Sequence, residues 1–134
     1  MATLKLEIVT PESKVYSEDV DMVTLPGVEG EMGIFPMHVP LMTQLTAGEI
    51  SVRKGNQDFF LAVGSGFVEV TSDRVSILTD MAIKAESIDE AKVEEARKRA
   101  EARLAEKLSD EEVAATNAAI AQSLAQLNVK RRHR

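Results

Sequence analysis

Over the first 86 residues, apolar side chains recur at every second position between short polar or glycine-bearing breaks. Leu4, Leu6 and Ile8 alternate with Lys5 and Glu7, the period of a half-buried strand. Thr10-Pro11-Glu12-Ser13 reads as a turn, and Val20 to Leu25 is a β-rich run ending at Pro26-Gly27. Leu41 to Leu45 is a short strand, Ala47-Gly48 a turn, and Ile50 and Val52 alternate with Ser51 and Arg53 up to a hairpin turn at Lys54-Gly55-Asn56. Gln57 to Val63 carries Phe59, Leu61 and Val63 on one face and Phe60 and Ala62 on the other, which predicts a strand covered on both sides. Gly64-Ser65-Gly66 interrupts it, Phe67 to Val70 resumes, Thr71 to Arg74 turns, and Val75 to Asp80 forms a late strand. Strands this short and evenly spaced predict an all-β sandwich or barrel. All five aromatic residues lie here (Tyr16, Phe35, Phe59, Phe60, Phe67), which places the expected main core in this half.

From Ser87 the period changes to that of a helix. Residues 87–134 hold no glycine, proline or aromatic residue, and 11 alanines. Ser87-Ile88-Asp89-Glu90 and Ser109-Asp110-Glu111-Glu112 read as capping boxes, so helices are expected over about 88–107 and 110–129, followed by a basic tail. Glu94 with Lys98 and Glu95 with Arg99 are spaced as ion pairs one turn apart. Val93, Ala96, Ala100, Leu104 and Leu108 form one stripe, and Val113, Ile120, Leu124 and Leu127 another, as in an antiparallel hairpin. Ala114, Ala118, Ala121 and Ala125 widen the second stripe to roughly 180°, more than the ~100° one neighbour needs. The spare half is expected to dock on the sandwich or on another protein, unless alanine is there only for helix propensity. The expected division is therefore a sandwich over 1–86 and a helical hairpin over 87–134.

One stretch breaks the strand rhythm. Gly27 to Pro40 has glycines at 27, 30 and 33, prolines at 36 and 40, the acids Glu29 and Glu31, and the only histidine outside the tail, His38. Glycine admits backbone angles closed to other residues, and proline fixes an extended path. The pattern predicts a rigid loop, either a turn between strands or a shaped contact surface.

Composition removes several functions. There is no cysteine, which excludes disulfides and thiol chemistry, and two histidines at 38 and 133 make a histidine metal cluster improbable. No apolar run approaches the ~18 residues of a membrane span, and no basic-then-apolar leader is present, so a soluble, unexported chain is expected. Residues 1–86 carry 6 basic and 13 acidic side chains, and an acidic front half argues against nucleic acid. No Gly-x-x-x-x-Gly-Lys-Ser/Thr loop and no nucleophile elbow occurs, and His38 and the Glu29/Glu31 pair lack catalytic partners. The tail Lys130-Arg131-Arg132-His133-Arg134 reads as a frayed end or as a contact for an acidic surface or anionic lipid. Neither a cofactor nor a metal is expected.

Gly27, Gly30-Glu31-Met32-Gly33-Ile34-Phe35-Pro36-Met37-His38-Val39-Pro40-Leu41 follows the pattern Gly-x-x-Gly-Glu-(Leu/Met)-Gly-Ile-(apolar)-Pro-x-His-x-Pro-Leu. With Val9-Thr10-Pro11, Gly64-Ser65-Gly66-Phe67-Val68-Glu69-Val70 and Ile88-Asp89-Glu90-Ala91, the chain resembles the ε subunits of bacterial F-type ATP synthases over essentially its whole length. The resemblance implies a ten-stranded β-sandwich that binds the γ subunit, the rotor shaft, and sits on the ring of c subunits. It implies that Gly30, Glu31, Gly33, Met37 and His38 lie against shaft and ring. It implies a hairpin that folds on the sandwich or extends toward the α and β subunits of the catalytic head, inhibiting ATP hydrolysis. The site implied is the cytoplasmic face of the bacterial plasma membrane, peripheral and within a proton-translocating complex.

Two departures stand out. The family commonly has glycine where this chain has Met37. Relatives that bind ATP on the hairpin use Ile/Leu-Asp-x-x-Arg-Ala with further arginines on both helices. Here Ile88, Asp89, Lys92 and Arg99 remain, lysine lacks the planar fork of arginine, and no Lys or Arg lies between Leu108 and Val129. Weak or absent ATP binding is expected. Any inhibitory contact then falls to Arg97, Lys98, Arg99, Arg103 and Lys107 on the first helix and to the tail from Lys130. The competing reading from the residues alone is a stand-alone β-sandwich adaptor or ligand-binding module; an enzyme ranks third.

Overall fold

The structure, a computed structural model, describes residues 2–133; Met1 and Arg134, the end of the basic tail, lie outside the described residues. Ten strands come first: β1 Leu4–Val9, β2 Lys14–Val20, β3 Met22–Gly27, β4 Gly30–Ile34, β5 Leu41–Leu45, β6 Gly48–Lys54, β7 Gln57–Val63, β8 Gly66–Val70, β9 Arg74–Thr79 and β10 Ala82–Lys84. A 3-10 turn at Ala85–Ser87 leads into α1 Glu90–Arg103 and α2 Asp110–His133. The expected sandwich followed by two helices is what forms.

The strands follow the order β10-β7-β6-β3-β5-β8-β9-β1-β2, with β4 attached to β3. Neighbours are antiparallel except β1 and β9, which run parallel from Lys5↔Arg74 to Val9↔Leu78. β3 pairs with β4 along its length, with β6 from Met22 to Thr24, and with β5 only through Gly27↔Leu45. This branching folds the sheet over a core in which Leu6, Ile8, Val23, Leu25, Ile50 and Val52 are fully enclosed.

The main core lies in this half, as expected, but it is built from aliphatic side chains. Tyr16 alone of the five aromatics is buried in it. Phe35, Phe59 and Phe67 are exposed, and Phe60 lies half-buried under the helices. Strand parity explains the outcome: Val68 and Val70 of β8 take the inward positions, so Phe67 must point out. β7 is covered on both sides as its pattern predicts, with Leu61 and Val63 in the main core and Ala62 under the hairpin.

The hairpin departs from its sequence pattern in several details. Asp89, not Ser87, caps α1, its side chain accepting from the Lys92 amide at 3.2 Å, because Ser87 already belongs to the 3-10 turn. The second box forms as expected: Ser109 Oγ accepts from the Glu112 amide at 3.2 Å and Glu112 Oε1 accepts from the Ser109 amide at 3.4 Å. α1 ends at Arg103, so Leu104 and Leu108 fall in the connection. α2 continues to His133, so the tail from Lys130 to His133 is helix, not a frayed end. Glu94 pairs with Arg97, and with Arg131 at 3.1 Å, instead of with Lys98. The guanidinium forks supply two donors each where a lysine supplies a point charge.

α1 buries no residue; α2 buries Thr116, Ser123, Ala125, Leu127 and Val129, while Val113 and Leu124 of the expected stripe stay exposed. Positions 112, 116, 123, 127 and 131 share one helical face, and its ends pair with α1 through Glu112–Arg103 and Arg131–Glu94. Ala125 and Val129 lie a turn apart on the opposite face, where Val129 meets Ala62 and Ile88. The wide apolar arc is thus shared between α1 and the sandwich, and the hairpin is folded onto β6, β7 and the 3-10 turn.

Candidate functional site

The Gly27–Pro40 stretch is two structures rather than one loop. Its first half is a β-hairpin: Gly27 pairs with Gly30 across the turn Val28-Glu29, and Glu31 to Ile34 continue as β4 against β3. Gly30 has φ +124°, a conformation that requires glycine. Gly33 is less demanding, since a side chain there would meet only the flexible end of Met22, 3.0 Å away. The second half, 35–40, is the loop proper. Its anchor is the Met37 amide, which donates to the Ser72 carbonyl in the β8–β9 turn at 2.7 Å. Met37 itself stands at φ +68°, the left-handed region that favours glycine.

The loop presents apolar groups to solvent. Phe35, Met37 and Val39 are exposed, Met37 by 77%, and Met42 at the start of β5 by 69%. His38 is half-buried and spends Nδ1 on a local bond, donating to the Val39 carbonyl at 2.7 Å. Gly30, Glu31, Gly33, Met37 and His38 therefore do not converge on one point. Glu31 instead lines a cavity of about 370 Å³ between the sandwich and α2, with Pro26, Gly48, Ala121, Leu124 and Arg132.

The loop's apolar surface extends onto the outer face of β5, β8 and β9. Phe67 pairs with Leu78 across β8 and β9, both point outward, and they are 56% and 60% exposed. Met42 and the turn residue Val28 are exposed as well, and Val28 and Phe67 line a cavity with Ala121 of α2. Exposed apolar residues gathered on one sheet, with the polar Gln44 and Glu69 among them, mark a candidate interaction surface. Phe67 and Leu78 are absent from the sequence-derived site. Parity would have found them, since inward Val68 and Ile77 oblige both neighbours to face out.

The hairpin cations are unevenly engaged. Arg97 is held by Glu94 and by Glu101 at 2.7 Å, and Arg103 by Glu112 at 3.3 Å. The Arg97 guanidinium holds the Glu94 carboxyl below the usual carboxylate range. Lys98, Arg99 and Lys107 are exposed and pair with no carboxylate among the described residues. Of the expected nucleotide motif, Ile88 is buried against Ala62 and Val129, and the Asp89 carboxylate caps α1. Lys92 and Arg99 face solvent on α1. The four residues make no common cradle.

On the sandwich edge, Lys54 bonds Glu18 at 2.7 Å and holds its carboxyl below the ordinary value. Burial, and then the Glu18 carboxylate, push the Tyr16 phenol up to about 12.

The sequence matches two family models in succession. Residues 3–85 match the "ATP synthase, Delta/Epsilon chain, beta-sandwich domain" and residues 86–131 the "ATP synthase, Delta/Epsilon chain, long alpha-helix domain". An ATP synthase epsilon chain of Dehalococcoides mccartyi is 49% identical over 100% of this chain and 96% of its own length. That of Herpetosiphon aurantiacus is 42% identical over 98% and 96%. In fold, a chain of the Euglena gracilis mitochondrial ATP synthase (OSCP/F1/c-ring) superposes with a TM-score of 0.76 at 24% identity, covering 96% of this chain and 81% of the other.

Proposed function

The chain belongs to the ATP synthase delta/epsilon chain family, and on that premise we propose that it is a non-catalytic rotor subunit of the enzyme's central stalk. In this reading the sandwich grips the γ shaft and rests on the c-ring, at the cytoplasmic face of a bacterial plasma membrane. It couples proton flow to ATP synthesis, and the hairpin restrains ATP hydrolysis when it leaves the sandwich for the α and β subunits. The observation that carries the reading is the exposed apolar surface of Phe35, Met37, Val39, Met42, Phe67 and Leu78 on an otherwise enclosed sandwich. Such a surface suits a permanent protein neighbour, not a small substrate. Met37 and His38 then shape the foot of that contact, while Glu31 sits apart in the cavity against α2. The hairpin's small interface, centred on alanine and valine, suits reversible docking.

The test is a complex reconstituted with the full chain or with a chain lacking 87–134. The reading expects both to bind γ and assemble, and the truncated complex to hydrolyse ATP faster. An unchanged rate overturns the inhibitory part, and failure of residues 1–86 to bind γ overturns the whole. The scattered Ile88, Asp89, Lys92 and Arg99 support weak or no ATP binding by the hairpin, which a micromolar affinity by calorimetry would contradict.

A further inference from the structure

We propose that the last turn of α2 is a latch, and that Glu49 on β6 is the residue that keeps it closed. This rests on the hairpin being a movable regulator and assigns the control of that movement to particular residues of this chain.

Elsewhere the hairpin is held lightly. α1 buries nothing, and α2 meets the sandwich mainly through Ala125 and Val129. The last turn is different. Each of its four described residues takes a partner off its own helix. Lys130 Nζ donates to the Ala85 carbonyl at 3.4 Å. Arg131 bridges to α1, at 3.1 Å from Glu94 and 3.7 Å from Glu90. Arg132 reaches Glu49 at 3.4 Å and His133 reaches the same carboxylate at 2.7 Å. The His133 ring also lies flat on Phe60, centroids 3.5 Å apart and planes 9° apart. Ionic contacts bridge both α1 and β6, and a ring stack adds a geometry that a loose charge contact lacks.

Glu49 is the common point. Its side chain is largely enclosed and accepts two groups from α2. Removing it leaves Arg132 and His133 together with no shared acceptor, whereas removing either partner leaves the other. The arrangement also sets two states in competition. Arg131 and Arg132 are neutralised by Glu49, Glu90 and Glu94 while the hairpin is folded. Both side chains are already about half exposed or more in the folded state, and an acidic partner surface gains them in full only by displacing these carboxylates. The tail is therefore both the lock of the folded state and the charge offered by the open one, and an acidic partner must compete with Glu49 for it.

The experiment uses the full chain, which has no native cysteine, carrying Asn56→Cys and Glu106→Cys for a fluorescent donor and acceptor. Glu49→Gln and His133→Ala should each raise the open fraction about two- to fivefold, the range expected for losing partly exposed polar contacts. Salt of about 0.5 M should open the parent chain in the same direction through screening. Glu49→Lys should open it further, and adding His133→Glu should close it again. Unchanged transfer efficiency in both single variants overturns the latch, as does a Glu49→Lys opening that His133→Glu does not reverse. The readout is conformational and needs no ATPase, so the latch fails or stands separately from the inhibitory role.

Discussion

Gly66 of β8 lies against the backbone of Leu78 of β9 so closely that no side chain fits between them. A Cβ on Gly66 would collide with the Leu78 carbonyl oxygen and come within 2.8 Å of the Thr79 Cα. The obstacle is backbone of the paired strand, which cannot swing away. Gly66→Ala should therefore destabilise the sandwich by about 3 kcal/mol, the upper range for overpacking. Gly55→Ala is the control: its φ is +63° but the space around it is open, so it should cost only about 1 kcal/mol. Urea unfolding of both variants checks the difference.

Met37 provides the opposite case. Its backbone is left-handed at φ +68°, its amide is fixed to Ser72, and its side chain is out in solvent. Little packing is lost if the side chain goes. Met37→Gly should stabilise the isolated chain by up to about 1 kcal/mol, since relief of the left-handed strain exceeds the added chain entropy. Met37→Ile should destabilise it, because β-branching is poorly tolerated there. A loss of stability in the glycine variant, by thermal unfolding, would show that the methionine side chain contributes contacts of its own.

These two positions also show what was legible in the sequence. Leu41–Leu45 and Gln57–Val63 read as strands and form over those residues, because alternation between clear breaks leaves little freedom. The Gly27–Pro40 stretch was visible as unusual, but its first half reads as loop only until β3 supplies a partner for Glu31 to Ile34. The pairing is with the adjacent strand across a two-residue turn, but glycines at 30 and 33 mask the strand pattern. The tail failed for a related reason. Consecutive basic groups look solvated in sequence, whereas Arg131, Arg132 and His133 meet Glu49, Glu90 and Glu94 from distant elements. The aromatics mark the half that holds the core but not its members, since the parity set by Val68 and Val70 sends Phe67 outward.

That outward face can be tested directly. Phe67 and Leu78 are opposite each other and more than half exposed, so neither supports the core. Phe67→Ser with Leu78→Ser should leave thermal stability within about 0.5 kcal/mol of the parent, as for other surface substitutions. The same pair should weaken γ binding at least about tenfold, if aromatic anchors dominate the contact. Titration of γ with each chain measures it, and equal affinity would place the shaft contact elsewhere.

Tyr16 gives the fold a defined alkaline limit. Its phenol is pushed up to about 12 by burial and by Glu18, against an ordinary value of 10.0. The folded state favours the neutral form, so this stabilisation is complete below pH 10 and disappears as the pH rises through about 12. It is the only tyrosine and there is no tryptophan, so ionisation can be followed by tyrosinate absorbance without interference. The absorbance should appear near pH 12, together with loss of β-sheet ellipticity. Titration near pH 10 with the sheet intact would mean the ring is accessible in the folded protein.

Val129 tests how separable the hairpin is from the sandwich. It is fully buried, but in a small cluster with Ala62 and Ile88 that shares no residue with the main core. Losing its two methyl groups should therefore weaken docking and leave the sandwich almost untouched. Val129→Ala should cost the docked state about 2 kcal/mol, enough to raise its open population roughly thirtyfold if docking is a local equilibrium. Val129→Asp should open it fully, since a carboxylate cannot remain between Ala62 and Ile88 without a partner. Limited trypsin digestion reads the outcome at Lys98 and Arg99, exposed sites on α1, against Lys5 and Arg53 in the strands. Faster cleavage at the first pair alone means the hairpin leaves as a unit. Faster cleavage at both pairs would mean that the sandwich needs the hairpin to stay folded, and a regulator that moves away from it would then be physically untenable.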